Sequence, residues 1–222
     1  MKNNLLSEKL VYNGNSLTPT HLHLCMYNAA SMTETSGDTF DQVEASLDAT
    51  AINWLQVHGL EDTETIGAIC AHFDIDFLVV QDILNVNHPT KIEEREGYIV
   101  FILKLFCPAP IVEEKDDDDD DDDLRIGEVE LLRQQVCVIL GSNYVLTFVE
   151  NETDFFDDVS VALRNDVLKM RSRPSDYLMS VLLNSIMANY RTSISNISDA
   201  LEDLEEQLLN IRGGREIGAE IQ

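Results

Sequence analysis

Ile52-Asn53-Trp54-Leu55-Gln56-Val57-His58-Gly59-Leu60-Glu61-Asp62-Thr63-Glu64 opens the stretch on which the fold turns. It continues through Ala71-His72-Phe73-Asp74-Ile75 and Leu78-Val79-Val80-Gln81-Asp82-Ile83-Leu84-Asn85-Val86, then through Lys91 to Gly97-Tyr98-Ile99-Val100-Phe101-Ile102-Leu103-Lys104. Ala51 to Val57 reads as a strand, with Trp54 a packing anchor beside Ile52 and Val57. A helix is expected from near Asp62, with Ile66, Ile69 and Phe73 on its buried side, and a short helix over Leu78 to Leu84. Tyr98 to Phe106 is a continuous apolar run, the pattern of a strand covered on both faces. One carboxylate is out of place. Asp82 follows Leu78-Val79-Val80 and precedes Ile83-Leu84, at the edge of a surface built to pack.

The flanks continue the alternation. Thr20 to Tyr27 changes polarity residue by residue, like a half-buried strand. Phe40, Val43 and Leu47 fit a short helix that Asp38 or Thr39 can cap. Gln135 to Leu140 and Tyr144 to Val149 form an expected hairpin around Gly141-Ser142-Asn143, residues that tolerate positive φ. Thr153 or Asp154 can cap a further helix carrying Phe156, Val159, Leu163, Val167 and Met170. Together these elements predict an α/β fold: a mixed β-sheet covered by helices over residues 1–171.

Residues 172–222 are of another kind. Pro174 suits a first helical turn and Gly213-Gly214 a stop. Between them Met187, Tyr190, Ile194, Ile197, Leu201, Leu204, Leu208 and Ile211 are spaced 3, 4, 3, 4, 3, 4, 3, an unbroken heptad seam. A long helix is expected, about 60 Å at about 1.5 Å per residue, packed against another helix, with the start of the next helix completing residues 172–222. Its outer face, with Asp199, Glu202, Asp203, Glu205 and Glu206, is acidic.

Composition narrows the function classes. The 222 residues carry a formal charge of -26, a surface that repels nucleic acid and anionic lipid and attracts metal cations or basic partners. Cys25, Cys70, Cys107 and Cys137 are scattered without a C-x-x-C pair, the usage of reduced cytosolic thiols. Met1-Lys2-Asn3-Asn4 lacks the apolar core of a signal peptide. The run Tyr98 to Phe106, interrupted by Lys104, falls short of the roughly 20 apolar residues that span a bilayer. No Gly-rich phosphate loop, nucleophile elbow, H-E-x-x-H or zinc-ligand spacing occurs, so an enzyme is not expected.

The order of motifs from Ala51 to Lys104, with Arg173-Pro174-Ser175-Asp176-Tyr177-Leu178, resembles the cytoplasmic domain of the CorA family, pentameric channels for magnesium and cobalt. The resemblance implies an α/β/α domain followed by a long acidic helix beside a stalk. It implies that this chain, without the two membrane helices and the Gly-Met-Asn motif, is the front part of a channel subunit and cannot transport alone. On the same resemblance, Asp82 helps hold a regulatory Mg2+, or Co2+ or another divalent cation, between neighbouring subunits of a homopentamer at the cytoplasmic face of the membrane. The ion favours the closed state, and the other aspartate of the site lies on the stalk helix. Two departures stand out. Gln81 replaces the glutamate of Glu-Asp-Ile-Leu, and Asn184 stands where relatives often carry aspartate. These amides bind a hard cation more weakly, so a second regulatory site is expected to be absent or poor. Phe77 replaces a usual proline, and Pro89-Thr90-Lys91 replaces Arg-Pro-Lys.

Other candidates have plainer readings. Asp82 alone would pass for a helix-surface aspartate. Asp116, Asp117, Asp118, Asp119, Asp120, Asp121, Asp122 and Asp123 read as a self-repelling loop that attracts cations diffusely; an EF-hand register fails, because placing Gly127 at position six puts Leu124 at position three. His21 and His23 share one strand face, and without a third ligand nearby in sequence that face is expected to be solvent-exposed. The alternative for the whole chain is an acidic cation buffer, or an adaptor using the heptad helix.

Overall fold

In this computed structural model, residues 9–108 and 131–219 are described. In chain order they form strands β1 (His21–Tyr27) and β2 (Met32–Gly37), helix α1 (Phe40–Glu44), strand β3 (Ile52–His58), and helices α2 (Thr63–His72) and α3 (Phe77–Leu84). Strands β4 (Lys91–Arg95), β5 (Tyr98–Pro108), β6 (Leu131–Gly141) and β7 (Tyr144–Val149) follow, then helices α4 (Asp157–Arg164) and α5 (Ser175–Ala219). The chain divides into two compact units, Met1–Leu105 with Gln134–Ile186, and Phe106–Arg133 with Met187–Gln222.

The strands make one seven-stranded sheet in the order β2-β1-β3-β7-β6-β5-β4. It is mixed: β3 and β7 run parallel, while β1–β2, β1–β3, β4–β5 and β6–β7 are antiparallel. Alternation sorts the side chains onto two faces. Leu22, Leu24, Leu55, Val57, Leu146, Phe148, Val100 and Ile102 point to one core with Val43 of α1, Ile66 and Ile69 of α2, and Val79 and Ile83 of α3. On the opposite face Trp54 stacks edge-on to Phe156 at 6.3 Å and donates to Thr147 Oγ1 at 3.3 Å. Gln56 reaches Ser160 of α4 there, at 3.5 Å. The result is the expected mixed sheet between helices, with the long helix α5 after it.

Helix starts follow local chemistry. Asp62 caps α2 by accepting from the amides of Glu64 and Thr65, both at 3.1 Å. Asp76 caps α3 by accepting from the Leu78 amide at 2.8 Å. Gly97 has φ +86 in the tight β4–β5 turn, a left-handed conformation that favours glycine.

Several expectations are corrected. β5 is not covered equally on both faces: Tyr98, Val100, Ile102 and Lys104 are buried, whereas Ile99, Phe101 and Leu103 are partly exposed. No residue of Gly141-Ser142-Asn143 has positive φ. The glycine matters instead because the Tyr144 ring occupies the space a Cβ would take. The helix after Thr153 ends at Arg164, since left-handed φ at Asp166 breaks it, and the 3-10 segment that follows, Val167–Ser172, is itself kinked by left-handed φ at Leu168 and Lys169. Thr153 does not cap it; its Oγ1 accepts from the Phe155 amide at 3.1 Å. α5 continues through Gly213 and Gly214 to Ala219, because two glycines disfavour a helix by only about 1 kcal/mol each. Of its heptad seam, Met187, Ile194, Ile197 and Leu201 are exposed, so no helix covers them among the described residues. No helix of the described residues is long and apolar enough to cross a membrane. β2 and β4 carry no apolar alternation in their sequences; they are the two polar edges of the sheet.

Candidate metal-responsive site at the end of α3

In α3 the apolar pairs Val79-Val80 and Ile83-Leu84 bury one face, which turns Gln81 and Asp82 to the half-buried side. The Asp82 side chain keeps 23 % of its exposure. Its Oδ2 accepts from Lys91 Nζ at 2.5 Å and its Oδ1 lies 3.3 Å from His88 Nε2. Lys91 also donates to Glu93 Oε2 at 2.7 Å, and Glu93 in turn pairs with Arg95 at 2.6 Å. Charges therefore alternate along Asp82, Lys91, Glu93 and Arg95, and one ammonium lies between two carboxylates. Burial disfavours the Lys91 charge, yet its hydrogen bonds to Asp82 and Glu93 outweigh this and raise its pKa. The same ammonium lowers that of Glu93.

The backbone beneath Asp82 is held from three directions. A helix leaves its last carbonyls without intrahelical partners. Here Gln135 Nε2 donates to the carbonyls of Asp82 and Ile83, both at 3.2 Å, and the Asn13 amide donates to that of Leu84 at 3.1 Å. Lys104, on the buried face of β5, donates to the Val86 carbonyl at 3.0 Å and to Gln135 Oε1 at 2.9 Å. A positive charge at the negative end of a helix dipole is favourable. The lysine that interrupted an apolar run is thus a strut for the helix that carries Asp82.

Gln81 is half-buried and Asn184 exposed, and no hydrogen bond joins them among the described residues. On α5, Asp199, Glu202, Glu205 and Glu206 are exposed; the side chain of Asp203 and the run Asp116 to Asp123 lie outside the described residues. His21 pairs with Asp38 at 2.9 Å. His23 instead meets Cys25 and Glu34 in a compact group. The i, i+2 spacing of His23 and Cys25 signalled a shared face, but Glu34 could not be found without the β1–β2 pairing.

Carboxylate oxygens suit a hard divalent cation, which binds through one or two carboxylates and retained waters. Asp82 and Glu93 supply that chemistry, and Lys91 is the charge such a cation would displace. A mixed seven-stranded sheet followed by a long helix is the fold, and this carboxylate group is its candidate cation site. Residues 49–221 match the family model for the CorA-like Mg2+ transporter protein, and the chain belongs to that family. It is 28 % identical over 200 residues to the cobalt/magnesium transport protein CorA of Thermotoga maritima, covering 90 % of this chain and 52 % of that protein. The chain thus spans about half the length of that curated relative. Among solved structures it resembles the complete CorA magnesium transporter of Methanocaldococcus jannaschii, with TM-score 0.57, 18 % identity, and 88 % and 52 % of the two chains covered. The soluble domain of the same transporter matches with TM-score 0.55 and 15 % identity over 85 % of this chain and 64 % of that one.

Proposed function

We propose that this chain is the cytoplasmic, cation-sensing part of a CorA-like magnesium and cobalt channel, working as a homopentamer joined to its own stalk and membrane helices. It is not an enzyme and does not transport ions alone. Asp82 contributes one carboxylate to a regulatory Mg2+ held between subunits, with Co2+ or another divalent cation as a substitute. Residues 1–171 form the sensing body and 172–222 the acidic helix, whose exposed heptad seam receives a helix from the rest of the protein. Gln81 and Asn184, being amides, leave a second ion site weak or absent.

The observation that carries this reading is the Asp82 carboxylate, fixed at the end of α3 with Lys91 as an exchangeable counter-cation. Subunits of large negative charge repel across their interfaces. A divalent ion between them offsets that repulsion and favours the closed arrangement, so long as it binds the closed state more tightly than the open one. When cytosolic Mg2+ falls, the ions leave and the pore opens. Asp116 to Asp123 and the acids of α5 raise the local cation concentration without forming a defined site. The test is Mg2+ inhibition of the full-length channel in liposomes, wild type against Asp82→Ala. Loss of inhibition with transport intact supports the reading, and an unchanged inhibitory concentration rejects it.

A further inference from the structure

The sheet edge formed by β1 and β2 carries a second kind of metal chemistry. Cys25 stands directly opposite Glu34, and His23 opposite Ser36. Side chains opposite each other in antiparallel strands approach closely. His23 and Cys25, two residues apart, share the face that Glu34 also occupies. His23 Nε2 lies 3.1 Å from Glu34 Oε1, Cys25 Sγ lies 3.4 Å from His23 Nε2, and Cys25 Sγ lies 3.6 Å from Glu34 Oε1.

Two of those edges match the ligands of one tetrahedral zinc ion, and the His23–Glu34 edge is shorter by about 0.2 Å. With metal bonds of about 2.0–2.1 Å to nitrogen and oxygen and about 2.3 Å to sulfur, tetrahedral ligand atoms are separated by about 3.3–3.6 Å. The geometry points to a Zn2+ site made by His23, Cys25 and Glu34, with a fourth position for water, distinct from the carboxylate site at Asp82. Thiolate and imidazole favour zinc over magnesium, which prefers oxygen alone.

The surroundings fit the metal. Ser36 Oγ lies 2.9 Å from His23 Nδ1 and can accept a hydrogen bond from Nδ1–H, which leaves Nε2 free as a ligand; such outer partners fix metal-bound imidazoles. Gln56 points an amide N–H toward Cys25 Sγ at 4.0 Å, on the side where a thiolate gains from a donor. Arg164 donates to both carboxylate oxygens of Glu34, at 2.9 Å to Oε2 and 2.7 Å to Oε1. Two of the three Arg164 contacts fall on Oε1, so an ion there takes their place while Nε keeps its bond to Oε2. Cys25 is fully buried, whereas His23 and Glu34 keep 26 % and 29 % of their side-chain exposure, a route in for the ion.

On binding, a sulfur–zinc bond replaces the S–H bond of Cys25, whose proton leaves to solvent, and His23 coordinates through Nε2 in the tautomer that carries its proton on Nδ1. The Cys25 thiolate offsets one charge of the ion and the Glu34 carboxylate is shared with Arg164, so the site keeps one positive charge, on the partly exposed guanidinium.

The test is a titration of the full chain with Zn2+ under reducing conditions, against a competing chromophoric chelator and with excess Mg2+ to fill oxygen-only sites. Co2+ titration serves as the spectroscopic probe. One equivalent of Zn2+ is expected, together with a thiolate-to-cobalt charge-transfer band in the near ultraviolet. Cys25→Ser abolishes the band, and both Cys25→Ser and Glu34→Gln weaken Zn2+ binding by at least the roughly 10–100-fold typical of outer-shell changes. Circular dichroism identifies the folded variants, and partly exposed Glu34→Gln remains informative if Cys25→Ser does not fold. Absence of stoichiometric Zn2+ in wild type, a Co2+ spectrum without the thiolate band, or unchanged affinity in a folded variant would overturn the proposal.

Discussion

Lys91 Nζ stands 2.5 Å from Asp82 Oδ2 and 2.7 Å from Glu93 Oε2, so a single ammonium serves two carboxylates at the end of α3. A partly exposed pair of this kind contributes little to stability, about 0.2–1 kcal/mol. On the proposed role of Asp82 its larger consequence is competition, because a divalent cation and Lys91 would seek the same oxygens. Lys91→Met therefore lowers the Mg2+ concentration that inhibits the full-length channel, by up to about fivefold if the pair is worth that energy. Liposome flux at graded Mg2+ checks it, and a raised inhibitory concentration would contradict the competition.

Gln135 spans from Lys104 to the last carbonyls of α3. Gln135→Leu leaves the carbonyls of Asp82 and Ile83 and the Lys104 ammonium each short of a partner. Buried groups stripped of partners cost about 1–3 kcal/mol. Urea unfolding of the chain is expected to show a loss of that size, and a change under 0.5 kcal/mol would mean that other groups replace the amide.

Asp62 gives the clearest dependence on pH. Burial disfavours its charge, but Thr65 and the amides of Thr65 and Glu64 outweigh burial and hold its carboxyl below the ordinary 3.8. The folded value is depressed, so the stabilisation is complete above 3.8 and disappears as pH falls through the folded value. Asp62→Ala should cost about 1 kcal/mol at neutral pH. Asp62→Asn should keep most of the cap and remove its acid dependence. Thermal unfolding of the three proteins from pH 7 down through the acid limb decides this, and parallel curves would exclude the role.

The seam on α5 makes a separable prediction. Ile194 and Leu201 are 67 % and 60 % exposed. Replacing both with Ser should alter the thermal stability of this chain by no more than about 0.5 kcal/mol per site. In the full-length protein the same pair should weaken subunit assembly, measured by sedimentation. Strong destabilisation of the isolated chain would show that the seam is already covered.

Local pattern made much of this molecule legible. Alternation in Thr20 to Tyr27, the three- and four-residue spacing of Ile66, Ile69 and Phe73, and a helix start near Asp62 are properties of contiguous residues, so β1, α2 and α3 lie close to where the pattern puts them. The resemblance singled out Asp82 but said nothing of what holds it. The edge strands β2 and β4 escaped notice because a strand paired on one side can be polar throughout. The helix after Thr153 was overread because spacing records which positions are apolar, while left-handed backbone at Asp166, Leu168 and Lys169 is set by the fit of the segment to its neighbours. Lys91 at Asp82, Gln135 beneath α3, and Glu34 beside His23 and Cys25 depend on strand register and sheet order. Short-range periodicity fixes which face of an element is buried; the pairing of elements distant in the chain fixes which polar groups meet, and with them the chemistry.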